Sequence, residues 1–195
     1  MRYYSLYARD TRSDNWIFRH ANDVGVTLNE DYADLRCPKC KKIDELKALK
    51  RGLGECQIRE RKADFFASHE GMSCVSLEFK QCLEAAGVRG LEYYAAPNAI
   101  GRSVFVIVPT LRVKAKKSAF KFGKKCPACR RFKTVYGAPS TEQIELPQSA
   151  MTILTTDVSP EKEAGLMFQL MTGEDVVKLL KDAGLKGVLA FRTHP

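Results

Sequence analysis

The chain has no uninterrupted apolar run near the ~20 residues that a membrane helix needs, and its opening, Met1–Asp10, has no long apolar stretch of the secretory type. These two absences set the expectation of a cytoplasmic protein with no membrane partner. Catalytic phrases are missing as well: there is no phosphate-binding glycine loop, no Gly-x-Ser-x-Gly and no His-Glu-x-x-His. Histidine is scarce, and His20, His69 and His194 stand outside any nucleophile motif. Glu78 and Glu84 fall on a predicted helix as a solvated face, not as a working carboxylate pair. Trp16 is the only tryptophan and reads as a core anchor. The expectation is a protein that is not an enzyme.

Cysteine, in contrast, is present in quantity and in pattern. Four of the seven cysteines form two knuckles of one design, Cys37-Pro38-Lys39-Cys40 and Cys126-Pro127-Ala128-Cys129. Two residues between paired cysteines turn the backbone so that both sulfurs meet one point, and proline after the first cysteine presets φ for the turn. Four thiolates are the ligand set of a closed, tetrahedral structural Zn²⁺ site. In a reducing compartment such cysteines hold metal more readily than they form disulfides. Four sulfurs close the coordination sphere, whereas a catalytic zinc keeps a position open. One zinc shared by Cys37, Cys40, Cys126 and Cys129 would close the long loop between the knuckles; two separate half-sites are the competing arrangement. Cys74 and Cys82 read as core cysteines, and Cys56 is unassigned, with a lean towards a structural role.

The net charge of +9 is local. Between Leu111 and Thr141 lie Arg112, Lys114, Lys116, Lys117, Lys121, Lys124, Lys125, Arg130, Arg131 and Lys133, with no Asp or Glu. Without these ten the chain has 32 − 10 = 22 basic residues against 23 acidic ones. Lys39, Lys41, Lys125 and Arg130, beside the sulfurs, would offset the charge of a tetrathiolate site. The remainder would meet an acidic protein surface or phosphate. Phe120, Phe122 and Phe132 are interleaved with the stretch and read as core more readily than as base-stacking rings.

Read in order, residues 2–8 form a strand, 15–19 a second short strand after a polar turn at 11–14, and Ile43, Leu46 and Leu49 one face of a short helix stopped by Gly52. Ser76 caps a helix whose buried face is Phe79, Cys82, Leu83 and Ala86, with Gly87 as stop and a strand over 88–94. The phrase returns near the C-terminus, where Thr172 is the expected cap, Val176, Leu179, Leu180 and Ala183 the face, Gly184 the stop and 185–191 the strand. Residues 103–108 form a strand apolar enough to be buried on both faces. Residues 138–148 and 158–164 are expected loops, with a strand at 151–155 between them. The architecture expected is α+β, a single domain over 1–195 with two pseudo-repeated strand-helix-strand lobes, roughly 1–110 and 111–195, joined by a ribbon-like zinc-knuckle element.

The opening Tyr-Tyr strand, the early Trp16, the paired Cys-Pro-x-Cys and the phrase Leu83-Glu84-Ala85-Ala86-Gly87-Val88-Arg89-Gly90 resemble the bacterial double-CxxCG-motif proteins, which look related to immunity proteins against polymorphic or contact-dependent toxins. In this chain Lys41 and Arg130 replace the glycine expected after each second cysteine. The resemblance implies a cognate toxin as partner, neutralised by direct binding. Arg112, Lys114, Lys116, Lys117 and Lys121 are the expected partner-binding residues, since they precede the second knuckle and are not needed beside its sulfurs. A nucleic-acid-binding zinc protein using the basic patch 112–133 is the alternative. The identity of the partner and the oligomeric state are left open by the sequence.

Overall fold

A computed structural model of the chain describes residues 2–9, 15–22, 25–59, 62–132, 134–137, 143–146, 151–157 and 169–193. The turn expected at 11–14, the loop at 158–164, most of the loop at 138–148, Lys133 and His194 lie outside them. The fold is mixed α+β. The strands are β1 (Tyr3–Ala8), β2 (Arg19–Asn22), β3 (Gly25–Leu28), β4 (Phe65–Ala67), β5 (Ser73–Ser76), β6 (Leu91–Ala95), β7 (Val104–Pro109), β8 (Leu111–Val113), β9 (Lys121–Phe122), β10 (Val135–Tyr136), β11 (Ile153–Thr156), β12 (Leu170–Gly173) and β13 (Val188–Arg192). Three α-helices are described: α1 (Glu45–Arg51), α2 (Leu77–Ala85) and α3 (Glu174–Asp182). No helix among the described residues is long and apolar enough to cross a membrane.

The strands form a four-stranded sheet, β4-β5-β7-β6, a five-stranded sheet, β8-β11-β12-β1-β13, and two short ribbons, β2-β3 and β9-β10. All pairings are antiparallel except β8 with β11. The first strand of the chain therefore lies between β12 and β13, where Ser5 faces Met171 on one side and Phe191 on the other. A division at residue 110 does not separate the two sheets, because β1 crosses it. An antiparallel partner is chosen by the fit of whole faces, which adjacency along the chain does not reveal.

The units β5–α2–β6 and β12–α3–β13 have equal element lengths, and both helices end on left-handed glycines, Gly87 (φ 68°) and Gly184 (φ 66°). Their sheet partners correspond too: Cys74 faces Val106 as Met171 faces Ser5, and Tyr94 faces Val106 as Phe191 faces Ser5. Each unit also contacts the strand that precedes the other, β4 or β11, and these contacts are reciprocal. The Phe65 amide donates to Lys186 O at 3.1 Å, and the Ile153 amide donates to Arg89 O at 2.9 Å. A side chain on Gly90 would collide with Ile153 O, and one on Gly187 with Phe65 O.

Period-two alternation sorts the strand residues between layers. Phe65, Val75 and Ile107 of one sheet and Leu6, Ile153 and Leu170 of the other join Phe79 and Leu83 of α2 and Val176, Val177 and Leu180 of α3 in one core. The helix caps differ from each other. Ser76 Oγ accepts the Phe79 amide at 3.2 Å, as expected. At α3 the cap is Gly173, without a side-chain bond, while Thr172 Oγ1 donates instead to Thr152 O at 2.7 Å across the sheet. The buried face of α3 is consequently Val176, Val177 and Leu180, with Ala183 exposed. In α1, capped by Asp44 and Gly52, Ala48 and Leu49 are buried and Leu46 points outward. Residues 15–19 do not form the expected strand: Trp16 makes an isolated bridge to Gln57, and regular pairing begins only at Arg19.

Candidate metal centre

Each knuckle is a tight turn closed by its own backbone. The Lys41 amide donates to Cys37 O at 2.9 Å and the Cys37 amide to Lys42 O at 2.9 Å; in the second knuckle Arg130 donates to Cys126 O at 3.0 Å and Cys126 to Arg131 O at 2.8 Å. The bridges Arg36 to Ile43 and Lys125 to Phe132 clamp the two bases alike. This closure requires a left-handed residue after the second cysteine, and Lys41 (φ 63°) and Arg130 (φ 62°) are the two non-glycine residues of positive φ among the described residues. Glycine is the residue that adopts this conformation without steric cost, which is the physical reason for it at these two positions in the double-CxxCG pattern.

The fold brings the knuckles together. The four Sγ atoms of Cys37, Cys40, Cys126 and Cys129 all lie within 4.8 Å of one another, with Cys37 3.8 Å from Cys126 and Cys40 3.6 Å from Cys129. Four sulfurs about 2.3 Å from one ion at tetrahedral angles would stand roughly 3.8 Å apart. The cysteines are free, and their separations are far beyond the ~2.05 Å of a disulfide. Cys37 and Cys126 are buried and Cys40 and Cys129 half-buried. The residues thus fit a tetrathiolate metal site, built by both halves of the chain at one point.

The electrostatics favour ionisation at two of the sulfurs, those of Cys37 and Cys129. The amides of Cys40 and Lys39 and the neighbouring thiols draw Cys37 down to about 6, against the resistance of its burial. For Cys129 burial again resists, but the amide and side chain of Arg131 and the nearby sulfurs outweigh it and lower the thiol. Cys40 goes the other way, to about 11, by burial and because a first thiolate makes a second harder to form. A divalent cation removes that mutual penalty.

Two cations missed by the sequence reading secure the centre. Arg131 donates through Nη1 to Ile43 O and through Nη2 to Lys42 O, reaching from the second knuckle to the first. Lys42 reaches back, its Nζ 3.5 Å from Phe132 O, and its own ammonium is destabilised by burial and by Arg131. Both are the second residue after the second cysteine, so their matched positions were a usable signal.

The remaining predicted residues lie elsewhere. Cys74 is fully buried, with its thiol pushed up by burial, and Cys56 is pushed up by the same cause to about 12, so neither is poised to react. Cys82 is half-buried on α2. Trp16 is buried as expected, and exposed His69 stacks on it with ring centroids 3.8 Å apart. Glu70, which carried no sequence signal, accepts the Ile17 and Phe18 amides at 3.1 Å. Of the basic candidates, Lys114, Lys116, Lys117 and Lys121 are exposed and Arg112 is half-buried.

No protein-family model matches this chain, and neither does any curated protein.

Proposed function

We propose that this chain is a cytoplasmic binding protein held in shape by one structural Zn²⁺, and that it acts as an immunity-type protein, neutralising a cognate bacterial toxin by direct contact. The observation that carries the binding-protein reading is the donor set. Four thiolates from Cys37, Cys40, Cys126 and Cys129 occupy every position of a tetrahedral ion and leave none for a substrate. What supports the toxin as partner is the resemblance to double-CxxCG-motif proteins carried by the paired knuckles and the Leu83–Gly90 phrase.

The architecture enters the same reading as an internal duplication. Each copy comprises a first strand, a knuckle and a strand-helix-strand unit, and the first strands, β1 and β7, are exchanged between the copies. The ion then sits where the two copies meet, so that Cys37 faces Cys126 as Cys40 faces Cys129. A small domain cross-linked in this way presents a rigid surface, which lowers the ordering cost of binding.

Two measurements test the reading. Metal analysis of reduced, purified protein should find about one zinc per chain, lost on Cys126→Ser, as a closed tetrathiolate site holds a single ion; absence of metal overturns the zinc assignment. Co-expression with a candidate toxin domain, sought among the open reading frames neighbouring this gene, should restore growth and yield a co-purifying complex. Unrelieved growth arrest with no complex overturns the immunity assignment.

A further inference from the structure

We propose that the β9–β10 ribbon and the turn before it dock an acidic surface of the protein partner, with Tyr136 as anchor and Lys116, Lys117, Lys121 and Lys124 as a charged rim. This rests on the reading of the chain as a protein-binding immunity protein, and it names the surface and the partner chemistry.

Tyr136 is 65% exposed, more than any other large hydrophobic side chain among the described residues. It stands directly opposite Lys121 in the antiparallel ribbon, so ring and ammonium leave from one face. On the other face Phe122 is only partly covered, at 36% exposed, and Val135 is half-buried. Phe122, opposite Val135, lies 4.9 Å from Phe132 and 6.3 Å from Phe120, and Lys125 Nζ sits 4.6 Å above the Phe132 ring beside the second knuckle. Gly137, next to Tyr136, has no room for a side chain against Ala119 O, so the ribbon is seated on the short helical turn Lys117–Ala119. That contact sets Gly137 against Ala119, the last residue of the turn that opens with Lys117. An aromatic ring held out on a supported ribbon loses little conformational freedom on binding, which is the profile of an interface anchor.

The charge around it has a direction. Lys116, Lys117, Lys121 and Lys124 are exposed. At the Lys114 end the field is weakened by Glu145, whose amide donates to Lys114 O, and by Asp157, whose Oδ1 accepts the Ala115 amide. Arg131 is committed to the carbonyls of the first knuckle. The exposed positive charge therefore extends further along the chain than the stretch Arg112–Lys121 alone suggests, through Lys121 opposite Tyr136 to Lys124.

A protein is favoured over a nucleic-acid strand. Single-stranded nucleic acid is gripped by successive rings with free faces, and Phe120, Phe122 and Phe132 pack on one another, leaving Tyr136 alone. Of the guanidinium forks best suited to phosphate, Arg131 is tied up in the carbonyls of the first knuckle, and exposed Arg130 lies beside the metal centre rather than on the ribbon. One ring with a lysine rim suits a single pocket in an acidic surface.

The test is a kinetic titration of the full chain, metal bound, against the inactivated candidate toxin domain sought among the neighbouring open reading frames, with a 15-nucleotide single strand as second probe. Tyr136→Ala should weaken the complex about 30-fold, chiefly through faster dissociation, as truncating an anchor does. Tyr136→Phe should retain most of the affinity, and both should keep wild-type zinc content and melting temperature. Lys116→Glu with Lys117→Glu should slow association about tenfold at low salt, with the effect shrinking as salt rises. A toxin complex indifferent to all these changes overturns this surface and leaves the immunity reading standing. No toxin complex with wild-type protein overturns both. Oligonucleotide binding at physiological salt that is lost in the same variants overturns the proposal in favour of nucleic acid.

Discussion

On the four-stranded sheet, the face turned away from α2 carries Phe66, Cys74, Val104, Val106 and Val108 beneath Ile17, Phe18, Tyr32, Ile43, Ala48 and Leu49, all buried. On the five-stranded sheet the corresponding face carries Tyr3, Val113, Leu154 and Met171, and its cover among the described residues is Ile144 with half-buried Ala115 and Leu146. The two helices and the strands beside them share one core, but the outer layers differ among the described residues. There the first sheet buries a large second core, and the second sheet carries a smaller set of buried apolar residues with the basic stretch following it in the chain.

The hardest blow to this arrangement should be Cys126→Ser. It removes the link between the knuckles and should cost on the order of 3–5 kcal/mol, the scale of losing a cross-link over a long loop. Hydrogen exchange should then rise first over 111–136, where little apolar cover remains, and later over 30–58. Simultaneous loss of protection in both segments would mean that the layers do not differ in strength. Next in size, Leu49→Ala in the larger outer core should cost about 2–5 kcal/mol, and Ile144→Ala about 1–2 kcal/mol, because a smaller layer can settle into the space left behind. Equal losses in denaturant titrations would erase the contrast.

The matched parts can be tested in the same way. Gly90 (φ 99°) and Gly187 (φ 90°) each have a backbone carbonyl where a side chain would go. Alanine at either should cost about 2–4 kcal/mol, and the two costs should agree within about 1 kcal/mol. A large disagreement in melting experiments would break the correspondence between the two units. The smallest effect belongs to the left-handed knuckle residues: Lys41→Gly and Arg130→Gly should each change stability by no more than about 1 kcal/mol, towards greater stability, since relieved strain is offset by a more flexible unfolded chain. Valine at either position should destabilise, by differential scanning calorimetry, because β-branching adds to the cost of positive φ.

Much of this was legible in local patterns. The ligand cysteines, the cap at Ser76 and the glycine stops each depend on a few neighbouring residues, so their chemistry shows at short range. What was misread depended on partners far along the chain. Thr172 has the side chain of a cap, but its hydroxyl meets Thr152 O on the next strand and Gly173 takes its place. On the expected face of α1, Ile43 and Leu49 are buried, but Ala48 and not Leu46 meets the layer over the first sheet. Lys42 and Arg131 were overlooked because their role lies in carbonyls of the opposite knuckle.

By itself the sequence determined the two cysteine turns, the two strand-helix-strand phrases and the concentration of positive charge around the second turn. These follow from side-chain type and spacing, which act over a few residues. Tertiary structure decided that β1 enters the sheet of the C-terminal half, that Cys37 stands against Cys126 and Cys40 against Cys129, and that among the described residues the first sheet has the larger outer core. It also decided that Tyr136, unmarked in the sequence, is the most exposed large hydrophobic side chain among the described residues. Each of these outcomes rests on which distant faces bury one another, and burial is settled only when the whole chain has packed.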